Sequence, residues 1–396
     1  MKVKNLAVIA VVIALLFASQ AFVNLDMRQA YPDDATAYWL GLAENAWNYF
    51  QPGKGVDAAT GLHQASLDWP YFTDWDLGLY IQTIIDAENV GILGPEGAWG
   101  ANARLEKTLA FLETRELTAD GMPFWWYESR TGHRSGEGSP DVTDTGKLLV
   151  ALQNLKLHRS NLEERINHIV YERTNYTSMW NVIINEMPRS ASVYAYYITS
   201  GFAGFWPDRF SSVADAILNN MVSVPKVETY GITLPKTDLL CEPLLYSFFE
   251  LKPDGRLSDL AQQVYLAHEA RYNATGKYTA FSEGNTALNE SPFAYEWVML
   301  SDGRTWVIKD QKKSDSDMTP IIYYKVAISF LAIHNTKFSR DMVGHLDSNM
   351  LQSIIGYAEG VDEDGRLVSA VVDKTNGLII SAARYAIEHG NPGLFS

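Results

Sequence analysis

The chain has 396 residues, of which 32 are Lys or Arg and 47 are Asp or Glu, so its formal net charge at pH 7 is −15. An acidic chain without a run of Lys or Arg is not a nucleic-acid-binding protein, because neutralising phosphates requires clustered cations. A hydrophobic content of 47% excludes a largely disordered chain. The single cysteine, Cys241, excludes an intramolecular disulfide framework and a thiolate zinc cluster.

The N-terminal segment has the pattern of an export signal. Lys2 and Lys4 precede an apolar run over residues 6–17, and residues 19–21 offer a small-x-small cleavage site. The run is shorter than the roughly 20 apolar residues of a membrane span. We therefore expect residues 1–21 to be a signal peptide or, if uncleaved, an N-terminal anchor. The protein is expected outside the cytoplasm, and this segment is its only expected contact with a membrane.

Apolar residues then recur at helical spacing in twelve stretches, which form six successive pairs. The pairs are residues 35–50 and 74–90, 101–114 and 146–157, 162–185 and 192–205, 211–222 and 239–251, 257–272 and 319–334, and 339–355 and 377–389. The first helix of each pair is amphipathic. The second is apolar or small on nearly all faces, which predicts a buried helix.

Polar residues mark the start of the second helix in most pairs. Ser or Thr followed by Asp or Asn precedes it in five of the six pairs, which predicts N-caps. The predicted caps are Asp74, Asp144, Asp238, Asp317 and Asn376. Tyr-Gly at 230–231 and Asp-Gly at 120–121 and 364–365 predict short β-hairpins in the connecting loops.

Six half-exposed helices alternating with six buried ones predict two concentric rings. The fold class is therefore all-α, an (α/α)6 toroid with short β-hairpins in the loops at one end. No Pro-, Gly- or Ser-rich linker divides the chain, so we expect a single domain over residues 31–396. An open helical solenoid is the alternative, but divergent repeats of about 60 residues fit a closed ring better.

Several motifs of the chain resemble those of a bacterial and archaeal family, the domain of unknown function numbered 3131. The motifs are Tyr71-Phe72-Thr73-Asp74-Trp75-Asp76-Leu77-Gly78, Thr143-Asp144-Thr145-Gly146, Gly201-Phe202, Ser282-Glu283, Pro292-Phe293-Ala294-Tyr295, Gly356-Tyr357-Ala358-Glu359-Gly360 and Thr375-Asn376-Gly377-Leu378-Ile379. The family is similar to six-hairpin carbohydrate enzymes, including glucoamylase-like and endo-β-1,2-glucanase groups. The resemblance implies a toroid and a saccharide ligand.

The resemblance has one departure. Where members of the family usually carry a Thr-Lys-Ala run, this chain reads Met318-Thr319-Pro320-Ile321. The departure leaves open whether the chain keeps the family's ligand or activity. The resemblance therefore implies no particular substrate.

Cleavage of a glycoside needs one carboxylic acid to protonate the leaving oxygen and a second carboxylate to activate water or attack carbon. Acidic residues in the loops that lead into the buried helices are the candidates: Asp74, Asp76, Glu137, Asp141, Asp144, Glu242, Glu283, Glu290, Glu296, Asp317 and Glu359. The loops of Glu283 and Glu359 are neighbours in a ring. We therefore predict these two as the catalytic pair, with Asp144 in reserve.

The acid role is assigned to Glu359. Its Gly-flanked stretch with Tyr357 is less polar than the surroundings of Glu283, and apolar neighbours raise a carboxyl pKa as a general acid requires. An ordinary solvated hairpin Glu is the alternative interpretation.

Aromatic residues collect in the same loops, and the apolar faces of sugars pack on such rings. Together with nearby acidic residues they give the predicted substrate-binding set: Trp69, Tyr71, Asp74, Trp75, Asp76, Trp125, Trp126, Tyr127, Glu137, Tyr295, Trp297 and Tyr357. The alternative is that these rings only plug the mouth of the toroid.

Metal and cofactor chemistry has little support in the sequence. His63 and His133 have no partner at metal-ligand spacing, and no phosphate-binding Gly-rich loop is present. We expect no metal and no cofactor.

Two functions remain open. One is an exported glycoside hydrolase or transglycosylase that acts on a glucan-like polysaccharide or oligosaccharide by carboxylate general acid/base catalysis. The other is a non-catalytic saccharide-binding or envelope-assembly protein on the same toroid. Both take a carbohydrate ligand. The sugar, its linkage and the oligomeric state do not follow from the sequence.

Overall fold

The structure is a computed structural model that describes residues 35–138, 142–288, 291–349 and 351–395. The predicted export segment, Asp141 and Glu290 lie outside these residues. In the described ranges the α-helices are α1 (Ala35–Trp47), α2 (Asp74–Asn89), α3 (Ala101–Thr114), α4 (Val142–His158), α5 (Glu163–His168), α6 (Trp180–Asn185), α7 (Val193–Phe205), α8 (Pro207–Ser223), α9 (Cys241–Glu250), α10 (Gly255–Thr275), α11 (Tyr324–His334), α12 (Lys337–Asp347) and α13 (Asp373–Glu388).

Short strands occupy the loops between the helices. They are β1 (Tyr71–Phe72), β2 (Trp126–Glu128), β3 (Arg134–Ser135), β4 (Lys226–Thr229), β5 (Ile232–Pro235), β6 (Glu283–Asn285), β7 (Phe293–Met299), β8 (Thr305–Asp310), β9 (Ile321–Tyr323), β10 (Gln352–Ser353), β11 (Gly356–Tyr357), β12 (Gly360–Asp362) and β13 (Leu367–Val368). They form small antiparallel sheets in the orders β1-β2-β3, β4-β5, β6-β7-β8, β10-β11 and β13-β12-β9. The protein is therefore helix-rich, with sheets of two or three strands between its helices.

Six helices pack against one another in a closed circuit. α2 contacts α4, α4 contacts α7, α7 contacts α9, α9 contacts α11, α11 contacts α13, and α13 returns to α2. We call these six the core helices. Each also packs against a flanking helix: α1 on α13, α3 on α2, α5 on α4, α8 on α7, α10 on α9 and α12 on α11.

The core helices are the more deeply buried set, as the sequence predicts. Fourteen of the sixteen residues of α2 are buried, whereas only five of the seventeen residues of the flanking helix α8 are. One hydrophobic cluster extends from Tyr38 in α1 to Ala386 in α13. None of the described helices is long and apolar enough to cross a lipid bilayer.

One predicted helix is broken. Residues 162–185 form α5, a π-helical turn at Ile169–Arg173, a 3-10 turn and α6. The backbone N–H of Asn175 donates to the Gly121 oxygen (2.9 Å), and its side-chain amide donates to the Asp120 oxygen (2.9 Å). These bonds to a distant turn replace the bonds that a continuous helix would make.

Most of the predicted N-caps are wrong. Thr73, not Asp74, caps α2. The Thr73 hydroxyl accepts from the N–H of Trp75 (3.1 Å), and the Asp76 carboxylate accepts from the backbone N–H of Thr73 (2.8 Å). This reciprocal arrangement is a capping box. Asp74 instead forms an ion pair with the guanidinium of Arg115.

Tertiary contacts also displace the other predicted helix starts. α9 begins at Cys241, and Asp238 before it accepts from the N–H of Ser301 (2.7 Å). α11 begins at Tyr324, well after Asp317, because β9 intervenes and pairs with β12. Asn376 lies inside α13, where its side chain bonds the backbone N–H and oxygen of Tyr357 (2.8 and 3.1 Å).

Glycines stand where neighbouring core helices approach most closely. A Cβ added to Gly78 of α2 would lie 2.9 Å from the Leu148 Cα of α4. One added to Gly146 of α4 would lie 2.7 Å from the Ile198 Cα of α7, and Gly201 of α7 abuts the Gly146 oxygen. Any side chain at these positions would push the backbones apart.

Substitution of Gly146 by Ala should destabilise the protein. The added Cβ would meet backbone that cannot move independently, and overpacking of this kind costs about 1–3 kcal/mol. Gly344→Ala in α12 is the matched control, because that glycine is exposed and nothing lies within 4 Å of its added Cβ. It should be neutral or stabilising by up to about 1 kcal/mol. Urea unfolding of both variants measures the difference, and equal effects would contradict the close-contact interpretation.

Candidate active site

A cavity of about 850 Å³ lies at the N-terminal ends of four of the core helices. The first turns of α2, α4, α7 and α13 contribute Trp75, Asp144, Tyr194 and Lys374, and the loops contribute the rest of its wall. The charged and aromatic residues of the wall are Asp68, Trp69, Trp75, Asp76, Trp125, Trp126, Asp144, Tyr194, Glu283, Phe293, Tyr295, Trp297, Lys313, Glu359, Asp373 and Lys374. Helix N-termini favour negative charge, which suits a wall rich in carboxyl groups.

The cavity brings together most of the residues predicted from the sequence. Both predicted catalytic glutamates and the reserve aspartate line it, as do seven of the predicted binding residues. These residues are Glu283, Glu359, Asp144, Trp69, Trp75, Asp76, Trp125, Trp126, Tyr295 and Trp297.

Five predicted binding residues do not line the cavity. Asp74 is buried in its ion pair with Arg115, and buried Tyr127 donates its hydroxyl to the Glu116 oxygen (2.7 Å). Tyr71 is half-buried in β1, and Glu137 is exposed on a loop. Tyr357 is buried in β11, where its ring centre lies 5.0 Å from that of Tyr324. Sequence proximity to a core helix therefore does not by itself place a side chain in the cavity.

Glu283, at the start of β6, is held by two groups from different helices. Its Oε1 lies 3.1 Å from the Lys374 Nζ of α13, and its Oε2 accepts from the Tyr194 hydroxyl of α7. Burial raises the pKa of this carboxyl, but Lys374, the Tyr194 hydroxyl and Lys325 together outweigh burial and hold the pKa below its usual value. Glu283 is therefore an ionised carboxylate at neutral pH.

Glu359 lies directly before β12 and is fixed at both its backbone and its carboxyl group. Its backbone oxygen accepts from the Tyr324 N–H (2.8 Å) and its N–H donates to the Ala370 oxygen (3.0 Å). Its Oε1 accepts from the Asn285 N–H of β6 (3.0 Å), and its Oε2 accepts from the Thr375 hydroxyl. The expectation of apolar surroundings for this side chain is wrong, because two polar donors contact the carboxyl group.

Two lysines of the site were missed by the sequence interpretation. Lys374 precedes the predicted start of the last core helix, yet it lies in the first turn of α13. Lys325 lies in α11, where its Nζ forms an ion pair with Glu242 of α9 and donates to the backbone oxygen of Glu283 (2.8 Å). The position of Lys325 inside an otherwise apolar stretch of sequence could have indicated a buried ion pair, because a buried ammonium requires a paired anion.

The remaining carboxyl groups near Lys374 have raised pKa values. Burial and the charge of Asp373 raise the pKa of Asp76 to about 6, although Lys374 and His63 act in the opposite direction. Burial likewise raises the pKa of Glu242 and of Asp373, against the effect of nearby lysines. The site thus combines an ionised Glu283 with neighbouring carboxyl groups that retain their protons to higher pH.

A metal centre has no visible basis in the part of the chain that the structure describes. No three His, Cys, Asp or Glu side chains converge there in an arrangement that could hold a metal ion.

The sequence profile of the family described as "Protein of unknown function (DUF3131)" matches residues 41–193 and 212–388. The chain belongs to the DUF3131 family. The match includes the first turns of every core helix except α7, and every motif on which the resemblance depends except Gly201-Phe202. No protein of curated function matches this DUF3131 chain.

Solved structures of carbohydrate enzymes share the fold. A candidate glucoamylase from Bacteroides caccae superposes with a TM-score of 0.63 at 15% identity, covering 91% of this chain and 95% of its own. An endo-β-1,2-glucanase from Chitinophaga pinensis, solved with sophorotriose and glucose, gives 0.62 at 13%, covering 91% and 94%. The endo-β-1,2-glucanase from Talaromyces funiculosus, solved with sophorose, gives 0.63 at 10%, covering 87% and 83%. At such low identity these likenesses establish the fold alone.

The raised pKa of Asp76 predicts a pH-dependent stability difference. The pKa moves from 3.8 to about 6 on folding, so this carboxyl's contribution to the free energy of unfolding is present below pH 4 and is lost as pH rises through 6. Asp76→Asn has no charge to bury. Between pH 4 and 7 the free energy of unfolding of the variant should therefore rise, relative to that of the parent, by up to about 3 kcal/mol.

Urea unfolding of parent and variant across this pH range measures the gain. Asp259→Asn, on the exposed face of α10, is the control and should give a constant difference. A constant difference for Asp76→Asn as well would contradict the assignment.

Proposed function

We propose that this DUF3131 protein is a glycoside hydrolase-like enzyme that acts on a glucan-like polysaccharide or oligosaccharide. The observation that carries the proposal is the pair Glu283 and Glu359 on the wall of one aromatic-lined cavity, joined through the short strand β6. The shared fold with glucanases supports the substrate class.

In this proposal Glu283 is the carboxylate that activates water or attacks the anomeric carbon. Lys374 and Tyr194 keep it ionised and fix its two oxygens, so that it meets the substrate in one orientation. Lys374 also lies 5.5 Å from the Trp75 ring centre, which restricts where its ammonium can move.

Glu359 is the proposed proton donor, and its contact with Thr375 suits that role. A hydroxyl donates to an ionised carboxylate and accepts from a protonated one. The Thr375 hydroxyl can therefore stay bonded to Glu359 before and after the proton moves to the leaving oxygen. Asp144 remains the reserve acid or base on the same wall.

A tryptophan platform at the cavity is the proposed sugar-binding surface. The rings of Trp125 and Trp126 stack with centres 4.7 Å apart, and Trp69 meets Trp126 edge-on at 4.6 Å. Trp125 is 40% exposed, a large share for an indole ring. Such a surface offers flat apolar faces to the C–H groups of successive sugar units.

The proposal also covers the domain organisation of the protein and its export. The closed circuit of six core helices with flanking partners supports a single (α/α)6 toroid domain over residues 31–396. The pattern of residues 1–21 supports export, by a cleaved signal peptide or as an N-terminal anchor.

Glutamine variants test the catalytic pair. Glu283→Gln and Glu359→Gln keep side-chain size but remove the charge and the transferable proton. Each should lower sugar release by at least about 100-fold while saccharide binding stays within a few-fold. The measurements are reducing-end release and calorimetric binding on a panel of α- and β-linked glucans that includes a β-1,2-glucan.

The control for this pair is Glu228→Gln in β4, which is exposed and does not line the cavity. Undiminished release by either cavity variant would exclude that residue as catalytic. Binding by the parent without release of any sugar would instead indicate the non-catalytic saccharide-binding protein.

Removal of one platform ring should weaken binding of longer saccharides. Trp125→Ala should raise the dissociation constant about tenfold, which corresponds to about 1.4 kcal/mol. Tyr230→Ala is a matched control, because Tyr230 has a similar exposure of 45% but lies on the β4–β5 turn, away from the cavity. Equal binding by the two variants would rule out the platform as a sugar-binding surface.

A further inference from the structure

Behind the cavity wall lies a histidine whose contact the proposed mechanism does not use. His63 is fully buried between the rings of Phe72 and Tyr80, whose centres lie 5.5 and 4.9 Å from its own. Its Nε2 is 3.3 Å from the Oδ2 of Asp373, the first residue of α13 and part of the cavity wall. Neither atom has a hydrogen-bond partner elsewhere among the described residues.

One proton would satisfy both atoms. A buried polar atom left without a partner costs about 1–3 kcal/mol, and 3.3 Å is within reach of a hydrogen bond after a small rotation. The proton can belong to Asp373 and be donated to a neutral His63, or belong to His63 Nε2 and be donated to an ionised Asp373. His63 Nδ1 has no hydrogen-bond partner among the described residues either, so it is unpaired in both forms, and the charges around the pair decide between them.

Charged and titratable groups face Asp373 from several elements. They are Tyr49 after α1, Asp76 of α2, Glu242 and Tyr246 of α9, Lys325 of α11 and Lys374 of α13. Both cations already have carboxylate partners: Lys325 is paired with Glu242, and Lys374 with Glu283. An ionised Asp373 would add a further buried negative charge with no cation of its own, which is the costly arrangement.

We propose that Asp373 carries the proton and donates it to His63 Nε2, and that this neutral pair leaves Lys374 to hold Glu283. His63 and Asp373 are then positioning residues that act through Lys374. The effect on catalysis rests on the proposed function of Glu283, whereas the location of the proton does not.

The backbone around Asp373 fits this arrangement. Its second oxygen, Oδ1, accepts from the N–H of Lys374 (2.6 Å), and its own N–H donates to the Ala65 oxygen (3.1 Å). The carboxyl group therefore has one acceptor oxygen engaged and one oxygen free to carry the proton towards His63. Loss of that proton at high pH would place a new negative charge beside Lys374 and weaken its hold on Glu283.

Nitrogen-15 NMR of the full chain, labelled at histidine, tests where the proton lies. His63 is assigned by the signal that disappears in His63→Gln. At pH 7 the proposal expects a neutral ring protonated at Nδ1, with Nε2 unprotonated and accepting. A ring protonated at Nε2, whether neutral or cationic, would overturn the proposal. This measurement needs no substrate.

Asp373→Asn reproduces the proposed protonated state. Its amide N–H can donate to His63 Nε2 while its oxygen accepts from the Lys374 N–H, so the variant should fold and keep the same His63 tautomer. Carbon-13 NMR of the Glu283 carboxyl in the parent should show a second shift at alkaline pH, when Asp373 loses its proton, and this shift should be absent in the variant. The same second shift in both proteins would exclude the positioning role.

Turnover gives an independent readout of the same pair. Asp373→Asn should move the alkaline limb of the kcat profile up by at least about one pH unit. Asp373→Leu, which can neither donate to His63 nor accept from the Lys374 N–H, leaves Lys374 unfixed and should lower kcat at least about tenfold with KM unchanged. Asp259→Asn is the surface control and should match the parent. Absence of turnover on every glucan would refute the proposed function alone, since both NMR measurements would still decide the proton and the positioning role.

Discussion

Close backbone contact between the core helices is the constraint on which the site depends. Gly78, Gly146 and Gly377 each lie within one turn or so of a cavity residue, and each meets an adjacent core helix; a Cβ on Gly377 would lie 2.9 Å from the Thr83 hydroxyl. Because these contacts leave no space for a side chain, they fix the separation of the helix N-termini. The distances between side chains on the cavity wall follow from that separation, and the loops then add Glu283 and Glu359.

A second constraint is the burial of charge along the inner faces of the same helices. Lys147 of α4 lies 2.5 Å from Glu250 of α9, and Arg384 of α13 lies 2.8 Å from Asp86 of α2. Buried pairs of this kind add little net stability, because desolvation offsets their attraction, but breaking one leaves an uncompensated charge. Their contribution is to orientation: each pair joins two core helices and restricts how they can rotate against each other.

Hydrophobic periodicity was sufficient to predict the helix pairs, apart from the broken helix at 162–185, because burial of a whole face is a long-range pattern that many residues share. The position of Glu283 and Glu359 in loops that lead into core helices was sufficient to place both on the cavity wall. Periodicity was not sufficient for helix starts. Asp238 and Asp317 have the local chemistry of caps, but a strand pairing or a distant N–H takes their place in the fold. Asp373 and His63 gave no signal at all, since they are far apart in sequence and meet only when α13 packs beside the segment after α1.

The last core helix completes the circuit and much of the site at once. α13 packs on α1, α2 and α11, and it brings Asp373 and Lys374 to the cavity and Thr375 to the Glu359 carboxyl group. During synthesis on the ribosome these residues emerge after nearly all of their partners. Until then the surfaces of α2 and α11 that α13 covers stay exposed, and contacts between such distant segments form slowly. The nascent chain therefore passes through an interval in which most of the core helices exist but Glu283 lacks Lys374.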